Sequence, residues 1–140
     1  MLSIKRSWGL PPLFVCGMYN RTKVIGWKYC PLMYISLVFH WYTGTSSVLR
    51  DIVSQGYFLS ATPAVEYHEE HRRAVKEIPL ERMLLETDSP VVYRRGSKLE
   101  YESRPADIIR SLRGAAELKG VSEAQVAEVT TANALRFFGL

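Results

Sequence analysis

The sequence predicts an α/β domain, a parallel sheet of short strands covered by helices. Three observations point there. Almost wholly apolar runs of about four to six residues recur along the chain, helical segments with one apolar face separate them, and Gly, Pro, Ser and Thr punctuate each change. The 140 residues are 47% hydrophobic and 23% charged. That is the mix of an ordinary globular domain, of a size that buries a core without disulfides or a structural metal.

The elements follow in order. Residues 13–16 read as a first strand. Ile35-Ser36-Leu37-Val38-Phe39 is a second, ending at His40 and the turn-forming Thr43-Gly44-Thr45-Ser46. Ser46 or Ser47 caps a helix over 48–55, where Val48, Leu49, Ile52 and Val53 share one face, and Gly56 stops it. Residues 57–61 make a third strand closed by Thr62-Pro63, and a polar helix follows over about 66–76. Residues 82–86 make the fourth strand, ending on the tip Thr87-Asp88-Ser89-Pro90.

Residues 91–103 read as a long exposed loop, of the kind that is usually functional or mobile. Pro105 suits the first turn of a helix reaching about residue 119, with Ile108, Ile109, Leu112 and Ala116 facing inward and Gly120 ending it. Ser122 with Gln125 three residues on is a capping-box pair that opens a short helix to about 129. Residues 131–138 make a last helix before Gly139.

The net charge of +4 and the pI of about 9.2 are unevenly placed. Lys5, Arg6, Arg21, Lys23 and Lys28 fall in residues 1–35, which hold no acid, so the remainder is near neutral. Residues 1–34 thus form an atypical basic leader, rich in Trp, Tyr, Met and Pro and including the first strand. Its Trp8, Tyr19, Trp27 and Tyr29 could stack bases, but misfit packing or disorder is the better-supported reading. A reading-frame change that altered this stretch is a third reading. Cys16 and Cys30 read as ordinary thiols, not as a secreted disulfide framework. Pro11-Pro12 interrupts any signal-peptide core, and no stretch approaches the 18 or so apolar residues of a membrane span. A soluble, cytoplasmic protein with no membrane partner is expected.

In parallel sheets covered by helices, ligands gather at the carboxyl ends of the strands. His40, Thr62 and Asp88 stand at three such ends. An imidazole and a carboxylate there can converge on a divalent metal and generate hydroxide at neutral pH. A hydrogen-bonded histidine and a turn-capping aspartate account for the same residues.

Phe39-His40-Trp41-Tyr42-Thr43-Gly44-Thr45 resembles the H-[CW]-[FY]-[ST]-G segment of the TatD family of metal-dependent deoxyribonucleases. Leu84-Leu85-Glu86-Thr87-Asp88-Ser89-Pro90 resembles its L-[LI]-E-T-D-[SC]-P signature, and residues 127–139 are similar to its A-x-x-T-T-x-N-A-x-x-[FL]-F-G ending. Order and spacing agree over about 35–140. Trp41-Tyr42 and Val91-Val92-Tyr93 are more similar to the archaeal branch than to the bacterial one.

The resemblance implies a (β/α)₈ TIM-type barrel of the metal-dependent hydrolase kind, acting on DNA from its 3′ end or on other phosphoesters. About 250 residues are needed for a complete barrel, so 35–140 would be its C-terminal half, about the last four βα units. The resemblance makes His40 a ligand of one divalent ion (Mg, Mn or Zn). It makes Asp88 a ligand of another, orienting or deprotonating the attacking water. Glu86 and Ser89 would support these ligands. Independently of the resemblance, Arg94, Arg95 and Lys98 in the long loop could touch phosphate, as loops above such a sheet often do, and a merely soluble loop accounts for them equally.

The departures are specific. The family's N-terminal H-x-H has no match, since the only histidines are His40, His68 and His71, and its bridging Glu is missing, the first acid being Asp51. Cys16 stands where another ligand His is expected, and Ser103-Arg104-Pro105 replaces N-E-P. Cys16 could ligate as thiolate, but a hard-ion phosphoesterase site prefers oxygen and imidazole, and a cysteine is more often inert packing. His68 and His71 are expected on a solvated helix face. The expected function is therefore a TatD-related hydrolase in truncated form, with an incomplete metal site and doubtful catalysis in isolation. The alternative is a non-catalytic fragment that binds nucleic acid, self-associates, or takes a partner chain over the open half-barrel.

Overall fold

The computed structural model describes residues 36–140 together with the strand Phe14–Cys16. The expectations for the other residues of 1–35, and for the Cys16 thiol, fall outside the described residues. β1 (Phe14–Cys16), β2 (Leu37–Phe39), β3 (Phe58–Ala61) and β4 (Met83–Leu85) form one sheet in chain order, every neighbouring pair parallel. The register sets Val15 beside Val38, Phe39 beside Leu59, and Ser60 beside Leu84. β2, β3 and β4 each start one or two residues later than their predicted runs, and β4 also ends early, at Leu85, which leaves Glu86 at the start of the tip.

α1 (Ser46–Ser54) links β2 to β3, and α2 (Glu69–Glu77) links β3 to β4. α1 begins earlier than the sequence predicts. Its cap is Thr45, whose hydroxyl accepts from the Val48 amide at 3.4 Å, while the Ser46 hydroxyl donates to Glu77. The predicted polar helix divides. A 3₁₀ turn, Pro63–Glu66, capped by the Thr62 hydroxyl, comes first, and α2 starts only at Glu69.

Residues 91–103 are not an unstructured loop. β5 (Val92–Tyr93) and β6 (Tyr101–Glu102) pair antiparallel, Tyr93 opposite Tyr101. α3 (Ile108–Lys119) follows a 3₁₀ turn at Pro105–Asp107, which shifts its phase. Ile108 and Ile109 consequently lie outward at 38% and 37% exposure, and Ser111, Gly114 and Ala115 face in. Gly114 has no room for a side chain, since a Cβ there would meet Val65 Cγ1 at 2.3 Å. The two predicted closing helices are one, α4 (Glu123–Phe138), capped as expected by Ser122. Thr130 does not break it, because its hydroxyl donates back to the Val126 carbonyl within the helix.

Alternation along the strands divides the core between the two sheet faces. Leu59, Ala61 and Met83 pack against Leu49, Ile52, Val75, Ala115 and Val126 from the four helices. Val38, Phe58 and Leu84 turn to the other face, where Phe137 of α4 meets them. Burying one such side chain contributes about 1.5–3 kcal/mol, enough to fix the strands whose ends carry the polar residues. No helix among the described residues is long and apolar enough to cross a membrane.

Candidate metal centre

His40 directly follows β2, and Glu86, Thr87 and Asp88 directly follow β4. The Glu86 amide still donates to the Ala61 carbonyl at 3.0 Å, so the ladder holds the start of this tip in register. Asp88 then takes a left-handed conformation, φ 54°, which Asp tolerates better than most residues, and its carbonyl accepts from the Val91 amide. The tip is thereby folded back over the strand ends.

This brings together one imidazole and two carboxylates. A ligand atom from each of His40, Glu86 and Asp88 lies within 4.8 Å of the other two. The Nδ1 of His40 contacts Glu86 Oε1 directly, and Nε2 lies 3.5 Å from Asp88 Oδ2. The hydrogen-bonded Glu86 carboxylate pushes the His40 imidazole above its usual value, against the lowering effect of burial. Burial pushes the Asp88 carboxyl up, while the neighbouring imidazole pulls it down.

The donor set fits a divalent cation. Oxygen and imidazole donors suit Mg²⁺, Mn²⁺ and Zn²⁺. The 3.5 Å between Nε2 and Oδ2 is close to the spacing of two donors on one ion with bonds of about 2.0–2.2 Å. Glu86 on the opposite ring nitrogen supplies the carboxylate partner that metal-bound histidines usually have, leaving Nε2 directed at Asp88. Glu86 thus contacts the imidazole on the side away from Asp88, within the same cluster.

Tyr93, absent from the expected site, joins the cluster through Asp88. Tyr93 is fully buried, and its hydroxyl lies 3.1 Å from Asp88 Oδ2 and 3.2 Å from the Thr87 carbonyl. Burial pushes that hydroxyl up, so it remains a donor. Its ring stacks between Trp41 and Tyr101, with centroids 5.7 and 5.6 Å away. Trp41 is the neighbour of His40, so this stack ties the β2 end to the β4 tip. Tyr93 three residues beyond the Asp88-Ser89-Pro90 run was the available signal in the sequence.

The other candidates fall elsewhere. The Ser89 hydroxyl donates to the Ser103 carbonyl at 2.9 Å and anchors the tip to the hairpin. Thr62 is buried as a cap. Arg94 sits over the Tyr67 ring at 4.8 Å and 3.4 Å from Glu66, and Arg95 is exposed beside it, both on the rim. Cys16 pairs in register with Phe39, the residue before His40.

His71 departs most from expectation. It is fully buried, not solvated. Its Nε2 accepts from the Thr62 amide at 3.2 Å and its Nδ1 faces the Tyr42 carbonyl at 3.4 Å, so the ring is neutral with the proton on Nδ1. Burial pushes it down to about 4. His68, by contrast, lies near the surface, 3.3 Å from Glu70.

Comparison with known proteins agrees with this geometry. Residues 25–139 match the family model described as TatD related DNase. The human protein named Deoxyribonuclease TATDN3 is 36% identical over 102 residues, which are 73% of this chain and 36% of that protein. The Methanocaldococcus jannaschii protein named Uncharacterized metal-dependent hydrolase MJ1582 is 28% identical over 105 residues, covering 74% of this chain and 41% of that one. The crystal structure of YJJV, a TatD homologue from Escherichia coli, shares the fold with a TM-score of 0.64 at 24% identity, over 74% of this chain and 40% of the other. This chain therefore spans well under half the length of the relatives it matches. With most of its length inside the family model, and the motif residues His40, Glu86 and Asp88 gathered at one place, the chain belongs to the TatD-related DNase family.

Proposed function

We propose that residues 36–140 carry one side of the metal site of a phosphoester hydrolase acting on DNA or a related phosphodiester. The observation that carries this reading is the convergence of His40 Nε2, Glu86 and Asp88 at the carboxyl end of a parallel sheet. In the same reading the four strands are four staves of a (β/α)₈ barrel, and the ligands that complete the site come from outside 36–140. The relatives' names, a deoxyribonuclease and a metal-dependent hydrolase, support it. Identity of 36% to the human protein against 28% to the archaeal one gives an archaeal affinity no added weight.

The residues divide the work. Glu86 holds the Nδ1 proton of His40, which keeps Nε2 free as a donor atom. Asp88 offers Oδ2 on the side of His40, and its other oxygen is left to accept a proton from an attacking water. Tyr93 fixes the carboxylate plane between these two tasks. A divalent ion, when bound, supplies Lewis-acid stabilisation of the phosphoryl oxygens and a hydroxide at neutral pH.

The test is release of nucleotides from DNA with Mg²⁺, Mn²⁺ or Zn²⁺ added. Metal-dependent release that His40→Ala and Asp88→Ala each lower by at least about a hundredfold is the expected result. Release unchanged in both variants would exclude this site.

A further inference from the structure

The residue after His40 has an unusual backbone. Trp41 takes φ 43°, in the left-handed region that a bulky side chain rarely enters. Such a conformation persists only where the surrounding structure holds it. It bears on the metal centre because His40, one residue earlier, leaves β2 with its Nε2 directed at Asp88, and the course of the chain at Trp41 fixes that exit.

The contacts that hold this turn converge on α2. The Trp41 ring stacks on Tyr93 with centroids 5.7 Å apart and also meets the His71 ring at 6.4 Å. The carbonyl of Tyr42, next along the chain, accepts from His71 Nδ1 at 3.4 Å. On the other edge of the ring, Nε2 accepts at 3.2 Å from the amide of Thr62, the residue that follows β3. A neutral imidazole offers one donor and one acceptor on separate edges, which matches a carbonyl on one loop and an amide at the end of the neighbouring strand. Farther along the loop, Arg73 of the same helix donates to the Gly44 carbonyl and, at 2.7 Å, to the Ser46 hydroxyl. α2 thus grips the loop after β2 at two places, and His71 is the grip nearer to His40. A fully buried ring that served only to fill space would carry the cost of burying two polar nitrogens. Both are instead spent on backbone atoms at the end of the sheet that carries the ligands.

We propose that His71 is a positioning residue for the metal centre: by holding the Tyr42 carbonyl it keeps Trp41 left-handed, and so keeps His40 Nε2 directed at Asp88. The proposal rests on the metal-site reading above and adds to it a residue of α2.

The experiment compares His71→Gln with His71→Met in the full chain. The two side chains are close in length and shape and neither has a ring, but only Gln can both donate to the Tyr42 carbonyl and accept from the Thr62 amide. A role in packing alone would affect both alike. With fluorotryptophan in place of the three tryptophans, the fluorine resonance of Trp41, identified by its loss in Trp41→Phe, reports the turn in metal-free protein. It is expected to stay at the parent position in His71→Gln and to shift or broaden in His71→Met. Mn²⁺ affinity, read by electron paramagnetic resonance, is expected to fall about tenfold in His71→Met and less than about threefold in His71→Gln. Equal changes in the two variants, or none in His71→Met, would overturn the proposal. Nitrogen NMR of the His71 ring in the parent needs no substitution and decides the matter even if His71→Met fails to fold. The proton is expected on Nδ1, and a ring protonated on Nε2 instead would overturn the proposal. A parent that binds no Mn²⁺ would sink the metal-site reading, while the fluorine resonance would still decide whether His71 holds the turn.

Discussion

Tyr93 shows how one hydroxyl can govern a charged cluster. It stands against the same oxygen of Asp88 that faces His40, and its buried ring leaves it no alternative rotamer without breaking the aromatic stack. Tyr93→Phe keeps the stack and removes the donor. Divalent-metal affinity measured by calorimetry should fall about 10-fold to 100-fold, while the melting temperature moves little; unchanged affinity would remove Tyr93 from the site. His71 makes the second residue-level prediction. Its pKa of about 4 in the fold lies below the ordinary imidazole value of 6.5, so between those values the unfolded chain binds more protons. Its contribution to stability is complete above pH 6.5 and is lost as pH falls towards 4. Urea unfolding should show about 2 kcal/mol less stability at pH 5 than at pH 7 from this group, a difference that His71→Gln reduces. Equal pH slopes in both proteins would contradict it. His40 and Asp88 were legible because each sits in a run of specific neighbours. The burial of His71 was missed, although it heads the stripe His71, Ala74, Val75, Ile78, whose spacing is that of a buried helix face. The run of charges around it masked that stripe.

At the scale of elements, what the sequence hid was short or phase-dependent. The strands β5 and β6 are two residues each, too short for any periodicity to register, and they are held by ring stacking as well as by their ladder. Of the α3 residues expected inward, Leu112 and Ala116 do pack on the core, while Ile108 and Ile109, in the first turn after the 3₁₀ turn, lie outward. α4 was split at its Thr-Thr pair, yet the residues after that pair anchor it. Asn133, almost fully buried, donates to the carbonyls of Leu80 and Met83 at 2.8 Å each and so fastens α4 to the start of β4. Asn133→Ala leaves two carbonyls without these partners. It should cost about 2–3 kcal/mol, seen as a lower denaturant midpoint with unchanged slope. A midpoint within experimental error of the parent would show that α4 is held by Phe137 and its neighbours alone.

For the whole molecule, the parallel sheet and its helix cover were readable from apolar runs alternating with amphipathic helices, and the structure places the motif residues at one end of that sheet. β4 has no further partner strand among the described residues. The His40 imidazole and the Asp88 carboxylate, with Glu86 holding the imidazole from its other nitrogen, make a partial coordination sphere that must still select a hard divalent ion over a merely hydrogen-bonded arrangement. Mn²⁺ is the discriminating probe, because it prefers oxygen and imidazole and ignores the two thiols of residues 16 and 30. The decisive measurement is Mn²⁺ binding to the full chain by electron paramagnetic resonance, repeated with His40→Ala and Asp88→Ala. A bound ion in the parent and its loss in both variants is the expected result; the same bound fraction in all three proteins would show that His40 and Asp88 do not hold it.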